Sequence, residues 1–385
     1  MGKAAGGHRQ PGTSVLCCSR AVARVEESPE TMQRIAVALS GGVDSAVAAL
    51  LLRRQGHELV GVTLRLRPPP PAGLPDPLED ARRVAAFLDI PFASFDLTDR
   101  FAAEVVEPFC QSYLGGRTPS PCPDCNRRLK FGALLDLARR HHGADRLATG
   151  HYVRCRTSPV TGRLQLLRGL DPAKDQSYML ALLTPAQLAQ GVFPLGELTK
   201  PAVRELARTA GLPVASRPDS QDACFVDGDL HGFLDRRLGA RIAPGPLVDR
   251  AGRVVGEHRG VAHYTVGQRR GLGRGRLAPV YVVALRPETN ELVVGEKSET
   301  FAAGLWCRWF SWLSRPPTAA LAGEVQIRYG APPAPARLLV DTEAGCRIAF
   351  ASPLPAVAPG QLAAFYQGEV LVGGGYIDGP WPGEP

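Results

Sequence analysis

Ile35-Ala-Val-Ala-Leu39-Ser40-Gly41-Gly42-Val43-Asp44-Ser45-Ala-Val-Ala-Ala-Leu-Leu-Leu-Arg-Arg54 carries the reading of the fold. Five apolar residues make a short buried strand, Ser40-Gly41-Gly42 a tight turn, and the run from Ser45 a helix. Gly56 stops that helix, and Glu58-Leu-Val-Gly-Val-Thr-Leu64 reads as a second strand. A second helix is expected through Asp80 to Leu88, a third strand over Pro91 to Asp96, an amphipathic helix over Leu129 to Arg140 and another strand over Asp145 to Thr149. Apolar strands alternating with helices imply a parallel sheet covered on both faces, the layout of an α/β nucleotide-binding domain.

Further along, the texture changes. A helix is expected from Pro201 to Ala210, then short turns through Asp229, and from Gly252 to Tyr376 short alternating strands separated by Gly and Pro turns. Evenly spaced short strands suggest a small β-barrel. Arg67-Pro-Pro-Pro-Pro71 is a stiff connector inside the first domain. The expected fold is therefore α/β: a doubly wound parallel-sheet domain over residues 32–198, a small central domain over 199–272 and a C-terminal β-barrel over 273–379. Residues 1–31, rich in Gly, Arg and Ser, are expected to be a disordered tail or to precede a true start at Met32.

The chain of 385 residues has 45 Lys and Arg against 37 Asp and Glu, a formal charge of +8 that favours a polyanionic partner. Residues 1–31 hold nearly equal numbers of acids and bases, so the excess belongs to the folded body. No apolar run approaches the roughly 20 residues of a membrane span, so no membrane association is expected. Nine Cys are far too few for a disulfide scaffold, which points to a reducing, cytoplasmic compartment and to thiols with individual roles.

Ser40-Gly41-Gly42-Val43-Asp44-Ser45 joins a strand to a helix N-terminus, where backbone N–H groups and the helix dipole favour a phosphate. Ser40 and Ser45 add hydroxyls, and Asp44 has a carboxylate suited to Mg²⁺. A lone Gly-Gly turn capped by Asp or Ser would look much the same, but the whole segment resembles the PP-loop of ATP pyrophosphatases. That loop lacks the lysine of a Walker A motif. PP-loops serve amide-forming synthetases as well as RNA-thiolating enzymes, so the loop leaves the acceptor open.

Two cysteine segments bear on the acceptor. In Thr118-Pro-Ser-Pro-Cys122-Pro-Asp-Cys125-Asn126-Arg-Arg-Leu-Lys130-Phe131, Cys125 is expected just ahead of a helix, where the helix terminus and Arg127, Arg128 and Lys130 would favour its thiolate. A zinc site would need a second CxxC or a His pair, and none stands at suitable spacing. The other segment is Arg217-Pro-Asp219-Ser220-Gln-Asp222-Ala-Cys224-Phe225, in which a lone Cys is ordinarily a small buried hydrophobe.

Together with the loop, these segments resemble tRNA-specific 2-thiouridylases, and the likeness runs through Ala148-Thr-Gly150-His151-Tyr152, Lys174-Asp-Gln176-Ser-Tyr178, Phe193-Pro-Leu-Gly196, Tyr264-Thr-Val-Gly-Gln268-Arg269, Arg328-Tyr329 and Pro359-Gly-Gln361. The resemblance implies ATP-dependent adenylation of the C2 oxygen of the wobble uridine, position 34, followed by sulfur transfer. It makes Cys224 the persulfide carrier, loaded by a sulfur-relay protein or cysteine desulfurase, and Cys125 the nucleophile. It places Ala38, Leu39, Ser40, Gly41, Gly42, Val43, Asp44, Ser45, Leu64 and Gly150 on ATP with Mg²⁺. It places Ser120, Pro121, Cys122, His151, Lys174, Asp175, Gln176, Arg328, Tyr329 and Gln361 on tRNA.

The chain departs from the family at two places. Where many members have Asp it has Cys122, so Cys122, Cys125 and Cys224 would offer three thiolates to a [4Fe-4S] cluster. The segment Arg65 to Pro77 is short and lacks the usual tryptophan. Between His258 and Pro287 no acid occurs, and Arg269, Arg270, Arg274 and Arg276 fit either a solvated loop or RNA phosphates. A PP-loop amide or amine ligase, needing neither Cys125 nor Cys224, and a catalytically retired RNA-binding protein are the other classes compatible with the sequence.

Overall fold

In the computed structural model the described residues are 1–2, 33–71, 74, 76–219, 223–226, 228–272, 279–341 and 345–382. Strand β1 (Arg34–Ala38) lies at the centre of a parallel sheet with β2 (Glu58–Arg65), β3 (Phe92–Asp96), β4 (Arg146–Ala148) and β7 (Gly191–Val192), in the order β3-β2-β1-β4-β7. Ile35, Ala36 and Val37 are buried, as a strand with helices on both faces requires. One face packs on the helix Val43–Arg54, whose Ala46, Val47, Ala49 and Leu50 join Val84, Val203 and Ala207 in one apolar cluster. The other face packs Ala36, Val60 and Val62 on Phe131, Leu134 and Ala138. The sheet is doubly wound, as its alternating pattern implied.

The hairpin β5 (Val153–Thr157) and β6 (Leu164–Arg168) leaves this domain: β6 pairs antiparallel with Val370–Tyr376, through Val370 opposite Leu167. It thereby extends the C-terminal antiparallel sheet, whose own strands run from Phe301–Cys307 to Gly379–Trp381. Tyr178 donates to the Leu362 carbonyl at 2.7 Å, and Tyr366 lies 3.0 Å from the Ser177 hydroxyl, so the two domains share a buried polar and apolar joint. Between them a four-stranded sheet is built from Gly245–Val248, Val254–His258, Tyr281–Arg286 and Glu291–Gly295. It draws strands from both sides of the boundary expected at 272/273. The region read as one barrel from Gly252 to Tyr376 is thus two sheets. Among the described residues no helix is long and apolar enough to cross a membrane.

Two expectations fall outside the described residues: the tail over 1–31, of which only Met1 and Gly2 are described, and Arg274 with Arg276. The helix expected from Leu129 begins earlier, through Pro121–Asp124, a wider π-wound stretch Cys125–Leu134 and Leu135–His142. Pro121 at the first helical position sets φ for the start of a helix, which explains a beginning that apolar spacing alone did not reveal.

Candidate functional site

The chain passes from β1 to β2 and β3 on one side, then returns to β4 on the other side of β1. Ligands of open α/β sheets bind at the carboxyl ends of the strands where the order reverses in this way. Both the loop after β1 and the turn Thr149-Gly150-His151 after β4 lie there. Gly41 has φ +74°, and a Cβ on it would stand 2.6 Å from the Pro77 carbonyl oxygen. A Cβ on Gly150 would stand 2.7 Å from the Ser45 nitrogen, so the two loops touch through glycine. The Ser45 hydroxyl accepts from the Ser40 N–H at 3.1 Å and lies 3.1 Å from the Gly42 carbonyl, to which it donates. Gly42 caps the helix with no side chain, so the first N–H groups of Val43–Arg54 stay open to an anion. Leu64, at the end of β2, is partly buried beside this loop's strand.

Asp44 is already engaged. Lys200, at the start of the helix Lys200–Thr209, donates to its two carboxylate oxygens at 2.7 and 2.9 Å, and the Tyr152 hydroxyl donates at 2.7 Å. Lys200 also pairs with Asp219 at 2.9 Å, and Asp219 takes Lys174 at 2.8 Å and Arg204 at 2.6 Å. Burial would raise the Asp219 carboxyl, but bonds from Lys174 and Lys200 outweigh it and hold it well below the carboxylate range. Sequence reasoning missed Lys200: an isolated lysine before Pro201 carries no motif, and only folding brings it under the loop.

The cysteines come together through an aromatic cluster. Phe225 packs edge-on against Phe109, with centroids 5.0 Å apart, and against Phe101 at 5.7 Å. Cys125 and Leu129 belong to the same apolar cluster, so Cys224, adjacent to Phe225, is brought towards Cys125. The Cys224 carbonyl also accepts from Arg67 at 2.8 Å. Surrounding protein raises the thiols of Cys122, Cys125 and Cys224, and Lys130 opposes the rise at each.

The expected thiolate at Cys125 is corrected by this geometry. Cys125 lies inside the helical run, buried, and burial pushes its thiol up to about 12 despite Lys130. Arg127 and Arg128 turn instead to Asp124, at 3.5 and 3.2 Å, and Arg127 also stands over the Trp309 ring. Among the described residues no three His, Cys, Asp or Glu side chains form a group that could hold a metal ion, so the three cysteines do not make a ready ligand set for a cluster.

The residues expected on tRNA divide into two groups. Tyr329 lies within electrostatic reach of both Lys174 and Cys122, and Arg328 and Tyr329 are exposed on the C-terminal domain. His151 bonds Thr149 at 2.8 Å, and burial together with Lys130 holds its imidazole well below the usual range, hence neutral. The others serve the scaffold. Asp175 accepts from the N–H groups of Gly169 and Ser177, each at 3.0 Å, and from Ser177 Oγ at 2.9 Å. Gln176 accepts from the Tyr152 N–H at 3.1 Å. Gln361 donates to the Thr118 carbonyl at 3.0 Å, while Tyr376 donates to Asp124 at 2.7 Å and lies 3.3 Å from the Ser120 carbonyl. The C-terminal domain thus holds the segment leading through Pro121 to Cys122.

Three family models match in chain order: a tRNA methyl transferase HUP domain over residues 33–228, a tRNA methyl transferase PRC-barrel domain over 231–296 and an aminomethyltransferase β-barrel domain over 303–377. The chain is 45% identical to a tRNA-specific 2-thiouridylase of Synechococcus over 91% of its own length and 95% of the relative's. It is 49% identical to the corresponding protein of Thermus thermophilus, over 90% and 95% of the two chains, and 46% identical to that of Moorella thermoacetica, over 89% and 98%. Likeness of this degree along nearly the whole of both chains, with the three family models matched in order, means that the chain belongs to the tRNA-specific 2-thiouridylase family.

Proposed function

We propose that the protein 2-thiolates uridine 34 of tRNA at the expense of ATP. The observation that supports this most is the meeting of two cysteines from distant segments, through Phe225 and the cluster around Cys125, in a domain that also holds the Ser40–Ser45 loop. A ligase of the same fold would have no use for that meeting. The loop N–H groups would hold the ATP phosphates, while Asp44, Ser40 and Ser45 offer the hard oxygen donors that suit Mg²⁺, which shields phosphate charge.

The uridine C2 oxygen attacks the α-phosphate and pyrophosphate leaves. The terminal sulfur of a Cys224 persulfide then bonds to C2. The Cys125 thiolate attacks the inner sulfur of Cys224, the S–S bond of the persulfide breaks, and AMP departs with the C2–O bond. The products are 2-thiouridine and a Cys125–Cys224 disulfide, which a thiol reductant must reopen. Burial disfavours the Cys125 thiolate, and Lys130 is the group that opposes this and favours its charge. A sulfur-relay protein or cysteine desulfurase of a reducing cytoplasm would supply the persulfide. The exposed Cys122, Arg328 and Tyr329 and the half-buried Lys174 would face the tRNA.

The test is pyrophosphate release that requires tRNA, with sulfur from a persulfide donor appearing in position 34. Pyrophosphate release independent of tRNA, with no sulfur incorporated, would overturn the proposal. Iron and acid-labile sulfide in anaerobically purified protein, lost together with activity in Cys122→Ser, would replace the persulfide route by a [4Fe-4S] route.

A further inference from the structure

Lys200 has three ammonium protons, and all three are spent: two on the oxygens of Asp44 and one on Asp219. Its side chain is only 9% exposed, so water cannot readily replace a lost partner. Asp219 is equally committed. One of its oxygens takes Lys200 and Arg204, and the other takes Lys174, which is 38% exposed. A continuous charge chain therefore runs from Asp44 in the nucleotide loop through Lys200 and Asp219 to a lysine at the surface. Tyr152 closes the loop end by donating to Asp44.

Building on the reading given under Proposed function, we infer that Asp219 is a positioning residue that makes nucleotide binding and tRNA binding cooperative. A tRNA phosphate that recruits Lys174 takes a cation from Asp219. Asp219 then draws harder on Lys200, the ammonium loosens its double hold on Asp44, and the carboxylate is freed towards the nucleotide loop. The element with two arrangements is the Lys200 side chain, shared between two carboxylates. Both ligands bias it, as coupling between sites requires.

The experiment uses the full chain, a non-hydrolysable α,β-methylene ATP analogue with Mg²⁺, and a tRNA transcript with uridine at position 34. Calorimetry gives the analogue's affinity with and without saturating tRNA. In the wild type, tRNA should tighten the analogue by roughly fivefold or more, and the analogue should tighten tRNA by the same factor. In Asp219→Asn, which keeps the shape but drops the charge, the ratio should fall to about one, and Asp219→Glu should restore part of it. Lys200→Gln cuts the chain while leaving Asp219 its pairs with Lys174 and Arg204, and should also give a ratio near one. It serves should Asp219→Asn fail to fold. A wild-type ratio of one, or a ratio unchanged in these variants, would overturn the inference. A wild type that binds neither ligand would instead overturn the functional reading on which it rests.

Discussion

The nucleotide loop and the cysteine pair are assembled in opposite ways. The loop is one continuous stretch whose shape is fixed by bonds within a few residues, Ser40 to Ser45 and Ser45 to Gly42. The cysteine pair joins segments about a hundred residues apart, and its shape is fixed by apolar packing and by the C-terminal domain holding Thr118, Ser120 and Asp124. A site made of local hydrogen bonds is preorganised and charged for its ligand. The site made of distant packing has its reactive thiol buried and pushed up, so that the protonated form is favoured.

The largest expected effect separates the two. Cys125→Ser and Cys224→Ser should each reduce thiolation to background, while the affinities for ATP and for tRNA change by no more than a few-fold. Mass spectrometry of position 34 together with binding titrations reads both halves. Substantial thiolation by either variant would mean that the meeting of the two segments is only structural.

Gly41→Ala strikes the other region. Its left-handed φ costs an alanine about 1–3 kcal/mol, and the added Cβ would lie 2.6 Å from the Pro77 oxygen. ATP affinity should fall by roughly a hundredfold, from a displacement on the order of an ångström, with tRNA affinity kept. Equilibrium dialysis against ATP checks it, and near wild-type affinity would show that the loop is less rigid than its bonds suggest.

A smaller effect concerns the state of Cys125 in the free protein. With its thiol pushed up to about 12, its rate of alkylation by iodoacetamide should rise about tenfold per pH unit from about pH 8 to 10 without levelling. Raising the pH removes the proton that burial favours, so the thiolate fraction grows throughout that window. Lys130→Met should slow alkylation at every pH, because the ammonium opposes the rise. Peptide mapping after quenching isolates this site, and a plateau near pH 8 would place the thiol at its ordinary value.

The smallest effect lies outside both regions. Replacing the exposed Arg269 and Arg270 together should lower the salt slope of tRNA binding by up to about two units, one per phosphate contact. An unchanged slope would make them solvated surface.

How much of this was legible in the sequence follows the same division. The parallel sheet, the loop and its helix could be read because apolar period, glycine and helix start all fall within twenty residues. The two cysteines could be picked out by resemblance, but the charge state of Cys125 could not, since burial by Phe109, Leu129 and Phe225 is a tertiary fact that outweighs neighbouring arginines. Lys200 and Asp219 were equally hidden, because ion pairs between distant segments leave no local pattern. Arg127 and Arg128 misled for the reason that they sit close in sequence while pointing to Asp124.

The hairpin Val153–Thr157 and Leu164–Arg168 has a consequence for synthesis. It leaves the ribosome early, yet its partner strand, Val370–Tyr376, follows roughly 200 residues later, a wait of about 10 to 40 seconds at ordinary elongation rates. Through that interval Leu166 and Leu167, which are buried in the finished protein, have no strand beside them on that edge. Nascent chains stalled before Val370 should therefore be sought by chaperones that recognise unpaired apolar strands. A release after Tyr376 should lift that dependence in a single step.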